Sequence, residues 1–477
     1  MAPCSSFFSW RRPTPGVYVL RSKSTLLSRS YNLVCLHHHH HHHHNPNPNQ
    51  ISFHPSSFFR SFRISSSSSS ASRTTTTVLT STEEHSTSSS SSSSSSSPRT
   101  RTNNASPPTT TTEVAEWRKL VRWSKIKRRR EGGGNGGMSD ALRRTSKVVV
   151  FGGGSFGTAM ASVLGQNKAS LQVVLVLRDE ALCKDINEKR INSRYLPDYE
   201  LPPNVSATTD IEAAVEGAQY AVHAVPVQAS RAFFSKNKAH IAPTLPIICL
   251  SKGLEVSSGL TMADLIAECL GEQQPLAIMS GPSFAVEVMQ QKPTSVVAAS
   301  TDVALAKTCQ QLFACPYLRV NQSNDVLGVE IAGALKNVLA IAAGIVDGME
   351  LGHNAMAGIV QQGCSEIRWL ATAMGAEPTT IFGLAGVGDI MLTCFVNLSR
   401  NRTVGVRLGK GEKLEDILAS SSQVAEGVAT ASSVLALAQE YRVSLPVLTA
   451  VATVVAGKIS PREAVYEIMM LPQIAER

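Results

Sequence analysis

Val148-Val149-Val150-Phe151-Gly152-Gly153-Gly154-Ser155-Phe156-Gly157-Thr158-Ala159 is the stretch whose reading decides the fold of this chain. An apolar run rich in β-branched residues reads as a buried parallel strand, the glycines as a tight turn, and Thr158 to Gln166 as the opening turns of a helix. Gly152, Gly154 and Gly157 have the spacing of a dinucleotide-binding turn. Gly152 allows the turn, Gly154 lets the backbone come close to a pyrophosphate, and Gly157 lets the helix pack on the strand with its N-terminal amides facing the anion. A glycine-rich strand-to-helix turn can also be only a turn. A second apolar strand, Leu171 to Leu177, follows at the distance a βαβ unit requires, which favours the nucleotide reading.

Beyond Leu177 helical and strand patterns alternate. Helices are predicted at Glu180 to Arg190, Ile211 to Glu216, Leu260 to Leu270 and Val303 to Phe313; strands at Tyr220 to Val225, Pro246 to Leu250, Leu276 to Met279 and Thr294 to Ala299. This alternation predicts an α/β fold, a Rossmann-type doubly wound parallel sheet covered on both faces. From about Asp325 the pattern becomes helical, opening with the long Ala- and Gly-rich apolar segment Val326 to Val346 and continuing through 355–374, 387–395, 413–419, 428–440, 446–457 and 461–469. Three parts are expected: a leader over 1–137, a nucleotide-binding domain over 138–324 and an all-α substrate domain over 325–477. A ligand between two such domains sits at the carboxyl ends of the strands.

The 477 residues carry a net charge of +9, but the charge is unevenly distributed. Residues 1–82 hold eight Lys or Arg and no Asp or Glu, and 83–147 have a basic excess of seven, so residues 148–477 carry −6. The basic balance therefore belongs to the leader, and a nucleic-acid partner is not indicated. An acid-poor, Ser- and Arg-rich N-terminus reads as an organelle transit peptide, here for a plastid, or as a disordered tail. The run His37 to His44 fixes no metal geometry and reads as low complexity. Glu113 to Arg130 reads as a basic amphipathic helix with Val114, Trp117 and Val121 on one side, suited to a membrane surface or a partner, or as a solvated linker. Gly132 to Gly137 supply a flexible joint. No apolar run is expected to span a membrane, and nine scattered cysteines without C-x-x-C spacing indicate neither a zinc site nor a disulfide framework.

Chemistry is expected where strand ends meet the interdomain cleft. Lys252, in Ser251-Lys252-Gly253, follows a buried strand and would project into that crevice toward an anion or carbonyl, or else be a solvated strand end. Ser280-Gly281-Pro282-Ser283-Phe284 offers amides and hydroxyls to an oxygen-rich substrate. Lys336 lies in an apolar helical stretch, Gly328 to Leu339. It either snorkels to water along its own stem or is desolvated, which would lower its pKa toward neutrality and suit it to proton transfer. Asp389 and Thr393 share a helix face, and Arg400-Asn401 suit a phosphate, the alternatives being a helix cap for Asp389 and plain solvation for Arg400.

Taken in order, Gly152-x-Gly154-Ser155-Phe156-Gly157-Thr158-Ala159, Ser251-Lys252-Gly253-Leu254-Glu255, Ser280-Gly281-Pro282-Ser283-Phe284-Ala285, Leu335-Lys336-Asn337-Val338, Gly386-Val387-Gly388-Asp389 and Ser399-Arg400-Asn401-Arg402 resemble the soluble NAD(P)-dependent glycerol-3-phosphate dehydrogenases in their bacterial and plastid form. The resemblance runs from about Ser146 to Leu471. It implies reversible reduction of dihydroxyacetone phosphate to sn-glycerol 3-phosphate, with Lys336 as proton donor and acceptor. It implies substrate contacts from Lys252, Gly281, Ser283, Lys336, Asp389, Ser399, Arg400 and Asn401. Cofactor contacts would come from Gly152, Gly154, Ser155, Phe156, Gly157, Arg178, Lys252, Ala285, Arg400, Val424 and Glu426. With the leader, the likeness is to the plastid enzyme of the stroma that supplies glycerolipid synthesis, with a homodimer allowed. At the end of the second strand Asp179 would favour NAD and Arg178 would accommodate NADP, which leaves both cofactors open. A related hydroxy-acid dehydrogenase and an NADH-sensing regulator without turnover are the alternatives.

Overall fold

A computed structural model describes residues 115–123, 139–421 and 425–472. The serine runs, the histidine tract, Val114, the 132–137 joint and Val424 lie outside the described residues.

The quoted stretch forms β1 (Lys147–Phe151) and α1 (Ser155–Asn167). There follow β2 (Gln172–Val176), β3 (Val205–Thr208), β4 (Tyr220–His223), α2 (Val227–Asn237), β5 (Ile247–Cys249), α3 (Met262–Leu270), β6 (Leu276–Ser280), β7 (Thr294–Ala299), α4 (Val303–Phe313) and β8 (Leu318–Ser323). The sheet runs β8-β7-β6-β5-β4-β1-β2-β3. Strand order reverses between β1 and β4, so the crevice of a doubly wound fold opens there. The sheet departs from an all-parallel one at its far edge: β7 runs antiparallel to β6, and β8 follows β7 in parallel.

Residues 148–151 of β1 are completely buried, because helices cover both sheet faces. Val148 and Val150 join the core containing Val163 of α1 and Leu312 of α4, while Val149 and Phe151 join Phe234 of α2 and Leu265 of α3. Each such side chain contributes roughly 1.5–3 kcal/mol relative to its exposed state.

The helical half is built on α5 (Val326–Gly348), whose first turn is capped by the Asp325 carboxylate accepting from Gly328 N–H at 2.9 Å. Around it pack α6 (Gly352–Ala373), α7 (Asp389–Phe395), α8 (Arg400–Gly409), α9 (Glu426–Glu440), α10 (Pro446–Val455) and α11 (Pro461–Met469). α5 and α8 touch backbone to backbone. A Cβ on Gly405 would lie 2.1 Å from the Ile341 carbonyl oxygen, and one on Gly344 would lie 2.1 Å from that of Arg402. This contact sets the N-terminus of α8 beside the turn of α5 that carries Lys336.

α5 is long and apolar enough to cross a membrane by length and composition, but its apolar stretch is buried inside the fold, with Glu330, Lys336 and Asn337 buried along it. Surrounding helices, not lipid, account for its being apolar on all sides.

Candidate active site

The glycine turn has the geometry its spacing predicts. Gly152 has φ +99°, and a Cβ there would come within 2.8 Å of the Ala224 carbonyl oxygen. A Cβ on Gly157 would sit 2.3 Å from the Gly152 carbonyl oxygen and 2.9 Å from the Ala224 Cβ, so helix and strands can approach only through glycine. Gly154 differs. Its φ is −69°, and a Cβ there would meet no protein atom within 4 Å. Nothing inside the fold requires glycine at 154, whereas a pyrophosphate close to the backbone would. Gly154 is also the N-cap of α1 without any side-chain cap, and the first turn, with Ser155 and Phe156, has no acidic residue, so its amides can turn toward an anion. The residues present fit a dinucleotide.

Asp389 organises the polar centre. The π-turn Leu384–Gly388 closes so tightly that a Cβ on Gly386 would lie 2.0 Å from the Ile381 carbonyl oxygen, and it delivers Asp389 as the first residue of α7. Lys336 Nζ donates to Asp389 Oδ1 at 2.8 Å and to Thr393 Oγ1 at 2.9 Å. Lys252 Nζ donates to Asp389 Oδ2 at 2.8 Å and to the Gly281 carbonyl at 3.0 Å. The carboxylate is therefore committed to two ammonium groups and caps nothing, which removes the helix-cap alternative. Only 7% of Lys336 is exposed, so it does not snorkel. Burial lowers its pKa, against the pull of Asp389 and with the help of Lys252, to about 8. Burial resists the charge on Asp389, but Lys252 and Lys336 outweigh it and hold the carboxyl below its usual range.

The other expected residues gather around this centre to differing degrees. Ser283 donates to the same Gly281 carbonyl at 2.9 Å, and Ala285 opens the short helix Ala285–Met289 beside it. Phe156 lies under Lys252, with Nζ 6.0 Å from the ring centroid. Ser399 caps α8 by accepting from Arg402 N–H at 3.3 Å, and Arg400 stands exposed at that helix start. Asn401 is buried, with Oδ1 accepting from Gly427 N–H at 2.9 Å, which leaves the donor Nδ2 for its other side. Glu426 sits at the start of α9, where burial pushes its carboxyl up to about 7 against the pull of Arg400 and the Val227 amide.

At the second strand end, Arg178 is exposed, while Asp179 is engaged by the protein itself. Its Oδ1 accepts from Leu182 N–H at 3.1 Å and its Oδ2 pairs with Arg194 at 2.7 Å. The helix-capping amide and this arginine hold its carboxyl below the usual range. Thr393 and Gly333 complete the centre without having been singled out as contact residues. Thr393 was legible as the i+4 partner of Asp389. Gly333, where a Cβ would sit 3.0 Å from Ser280 Oγ and 3.8 Å from Lys252 Cγ, was one small residue among many in α5.

Comparison with known proteins converges on one family. Residues 147–306 match the N-terminal model of NAD-dependent glycerol-3-phosphate dehydrogenase, and residues 325–466 match its C-terminal model. The chain is 59% identical over 361 residues to a chloroplastic NAD(+) glycerol-3-phosphate dehydrogenase of Arabidopsis thaliana, covering 76% of this chain and 84% of that one. A chloroplastic NAD(+) enzyme of Oryza sativa subsp. japonica is 57% identical over 361 residues, covering 76% and 81%. Among solved structures, glycerol-3-phosphate dehydrogenase from Coxiella burnetii superposes with a TM-score of 0.65 at 34% identity, covering 69% of this chain and 99% of that one.

Proposed function

Because the chain belongs to the NAD-dependent glycerol-3-phosphate dehydrogenase family, we infer that it catalyses the reversible reduction of dihydroxyacetone phosphate to sn-glycerol 3-phosphate with Lys336 as its acid and base. The observation carrying this is a buried lysine with a pKa of about 8, held between Asp389 and Thr393 at the mouth of a dinucleotide fold. A bound nicotinamide cofactor would supply the hydride as NADH for reduction of the ketone carbon and accept it as NAD+ in the reverse reaction.

An ammonium has three N–H donors, and two on each lysine are used within the protein. The third on Lys336 is aimed at the substrate carbonyl oxygen, where it stabilises the growing negative charge and then supplies the proton. The third on Lys252 holds the substrate against Gly281 and Ser283. Asp389 stays ionised throughout and keeps both cations in register. Arg400, Asn401 and the capped start of α8 by Ser399 anchor the phosphate, since a guanidinium fork and helix amides suit it. On the cofactor side Gly152, Gly154, Ser155, Phe156 and Gly157 line the pyrophosphate, with Arg178, Lys252, Ala285, Arg400 and Glu426 around the rest.

The same reading extends to cell and assembly. The leader directs the chain to the chloroplast stroma, and residues 1–137 are not needed for turnover. A homodimer would cover Phe382, Met391, Phe395 and Leu398, which are exposed in the sequence around α7; light scattering at twice the chain mass tests it. For the activity itself, purified protein is assayed for oxidation of NADH and NADPH dependent on dihydroxyacetone phosphate, with sn-glycerol 3-phosphate identified as product. Tight NADH binding without turnover of this substrate would instead support a sensor, and turnover of a hydroxy acid alone a related dehydrogenase.

A further inference from the structure

Residues 115–123, Ala-Glu-Trp-Arg-Lys-Leu-Val-Arg-Trp, form a helix that precedes both halves of the enzyme in sequence. Trp117, Leu120 and Trp123 are 62%, 64% and 61% exposed. At 3.6 residues per turn these three fall within an arc of about 120°, Arg118 and Arg122 fall opposite, and Lys119 flanks the arc beside Trp123. The single acid, Glu116, is paired to Lys119 at 2.7 Å. In sequence, five of the next seven residues are Lys or Arg.

A solvated linker has no use for two indoles on one side of a helix. An apolar body with a polar N–H edge suits the boundary between water and acyl chains, and a basic opposite face suits anionic headgroups.

The helix also lies ahead of the matched family: the N-terminal family model begins at residue 147, and the bacterial enzyme, covered over 99% of its own length, accounts for 69% of this chain. A match of 361 residues within 477, however, must begin by about residue 117, so the match with the chloroplastic relatives takes in most of this segment.

We propose that the helix at 115–123 docks the enzyme on an anionic lipid surface, with Trp117, Leu120 and Trp123 seated among the headgroups. The proposal is independent of the assigned reaction and sets the start of the imported chain before residue 115.

The full chain is sedimented with vesicles of phosphatidylglycerol or of phosphatidylcholine, beside two full-length variants, W117E/L120E/W123E and R118Q/K119Q/R122Q. The parent is expected to bind phosphatidylglycerol vesicles at least about tenfold better than phosphatidylcholine, and both variants to lose about tenfold or more on phosphatidylglycerol at unchanged kcat. Because the leader is itself basic, retention of parental binding by W117E/L120E/W123E would assign the affinity to the leader and overturn the proposal. Equal binding to both lipids, or no binding by the parent, would overturn it as well.

Discussion

Lys336 reaches Asp389 across 53 residues of sequence and donates to one oxygen of its carboxylate at 2.8 Å, while Lys252 takes the other oxygen at the same distance. One buried anion thus aligns two cations, and the pair differ in surroundings: the Lys336 side chain is 8% exposed and that of Lys252 is 19%. The more buried amine is the one suited to proton transfer. Replacement Lys336→Met keeps the apolar stem and removes charge and proton together. It should leave folding and NADH affinity nearly intact and lower kcat by roughly 10² to 10⁴. Lys252→Met should raise KM as well as lower kcat, because that amine anchors substrate. Steady-state kinetics with NADH titration checks both; turnover of Lys336→Met within a few-fold of the parent would move the acid to Lys252.

The direction of catalysis should divide the pH profile. Carbonyl reduction needs Lys336 protonated, so kcat for reduction should fall as pH rises through about 8. Alcohol oxidation needs the neutral amine, and its kcat should rise through the same pH. Profiles that move together in both directions would mean that another group limits the rate.

Much of this was legible because local pattern and burial agreed. The β1 run, the glycine turn and the all-apolar α5 each carry a periodicity or spacing that the packed structure preserves. Among the elements missed, which include α2 and β8, β3 and α8 have their identity set by distant partners. β3 is a polar edge strand, Val205–Thr208, recruited by pairing with β2. α8 begins with Arg400 and contains Gly405 and Gly409, poor helix formers that are there because α5 packs against their backbone. β7 reads like any buried strand, and its reversal against β6 leaves no mark on its composition. At the site, residue types were readable one by one, but the sharing of Asp389 between Lys252 and Lys336 is a contact between three separate segments.

The glycines of the turn should separate binding from stability. Gly154→Ala places a methyl where no protein atom lies within 4 Å and at a φ that alanine adopts freely, so stability should change by less than about 0.5 kcal/mol. Affinity for NADH should nonetheless fall about tenfold or more. Gly157→Ala drives its methyl into the Gly152 carbonyl and should destabilise by about 1–3 kcal/mol. Thermal melts with and without NADH distinguish the two; a Gly154→Ala protein with parental NADH affinity would show that the backbone there makes no close cofactor contact.

Cofactor choice should rest on Arg178 more than on Asp179. Both oxygens of Asp179 are occupied by Leu182 N–H and Arg194. Asp179→Ala therefore should weaken NADH and NADPH to a similar extent, through loss of the helix cap. Arg178→Ala should weaken NADPH more, since a cation at this strand end favours the additional phosphate. A selective loss of NADH in Asp179→Ala would mean that the carboxylate leaves Arg194 for the ribose.

The last expectation concerns a carboxyl far from the chemistry. Glu366 of α6 has no exposed surface, and its two oxygens accept from Val447 N–H at 2.9 Å and Leu448 N–H at 3.0 Å, capping α10 from a neighbouring helix. Burial pushes its pKa up to about 7 against those amides. The folded chain therefore keeps the proton up to about pH 7, whereas the unfolded chain releases it near 4.5. Between those values the native state binds more protons, so this group lowers stability as pH rises from 4.5 through 7. Glu366→Gln cannot ionise and replaces one acceptor oxygen by a donor, so at pH 5 it should be less stable than the parent by about 1–3 kcal/mol, the cost of an unsatisfied buried amide. As pH rises to 8 the parent loses ground and the variant does not, so the gap in Tm should narrow or reverse. A gap that stays constant from pH 5 to 8 would mean that Glu366 titrates alike in both states, its charge held by the α10 amides despite its burial.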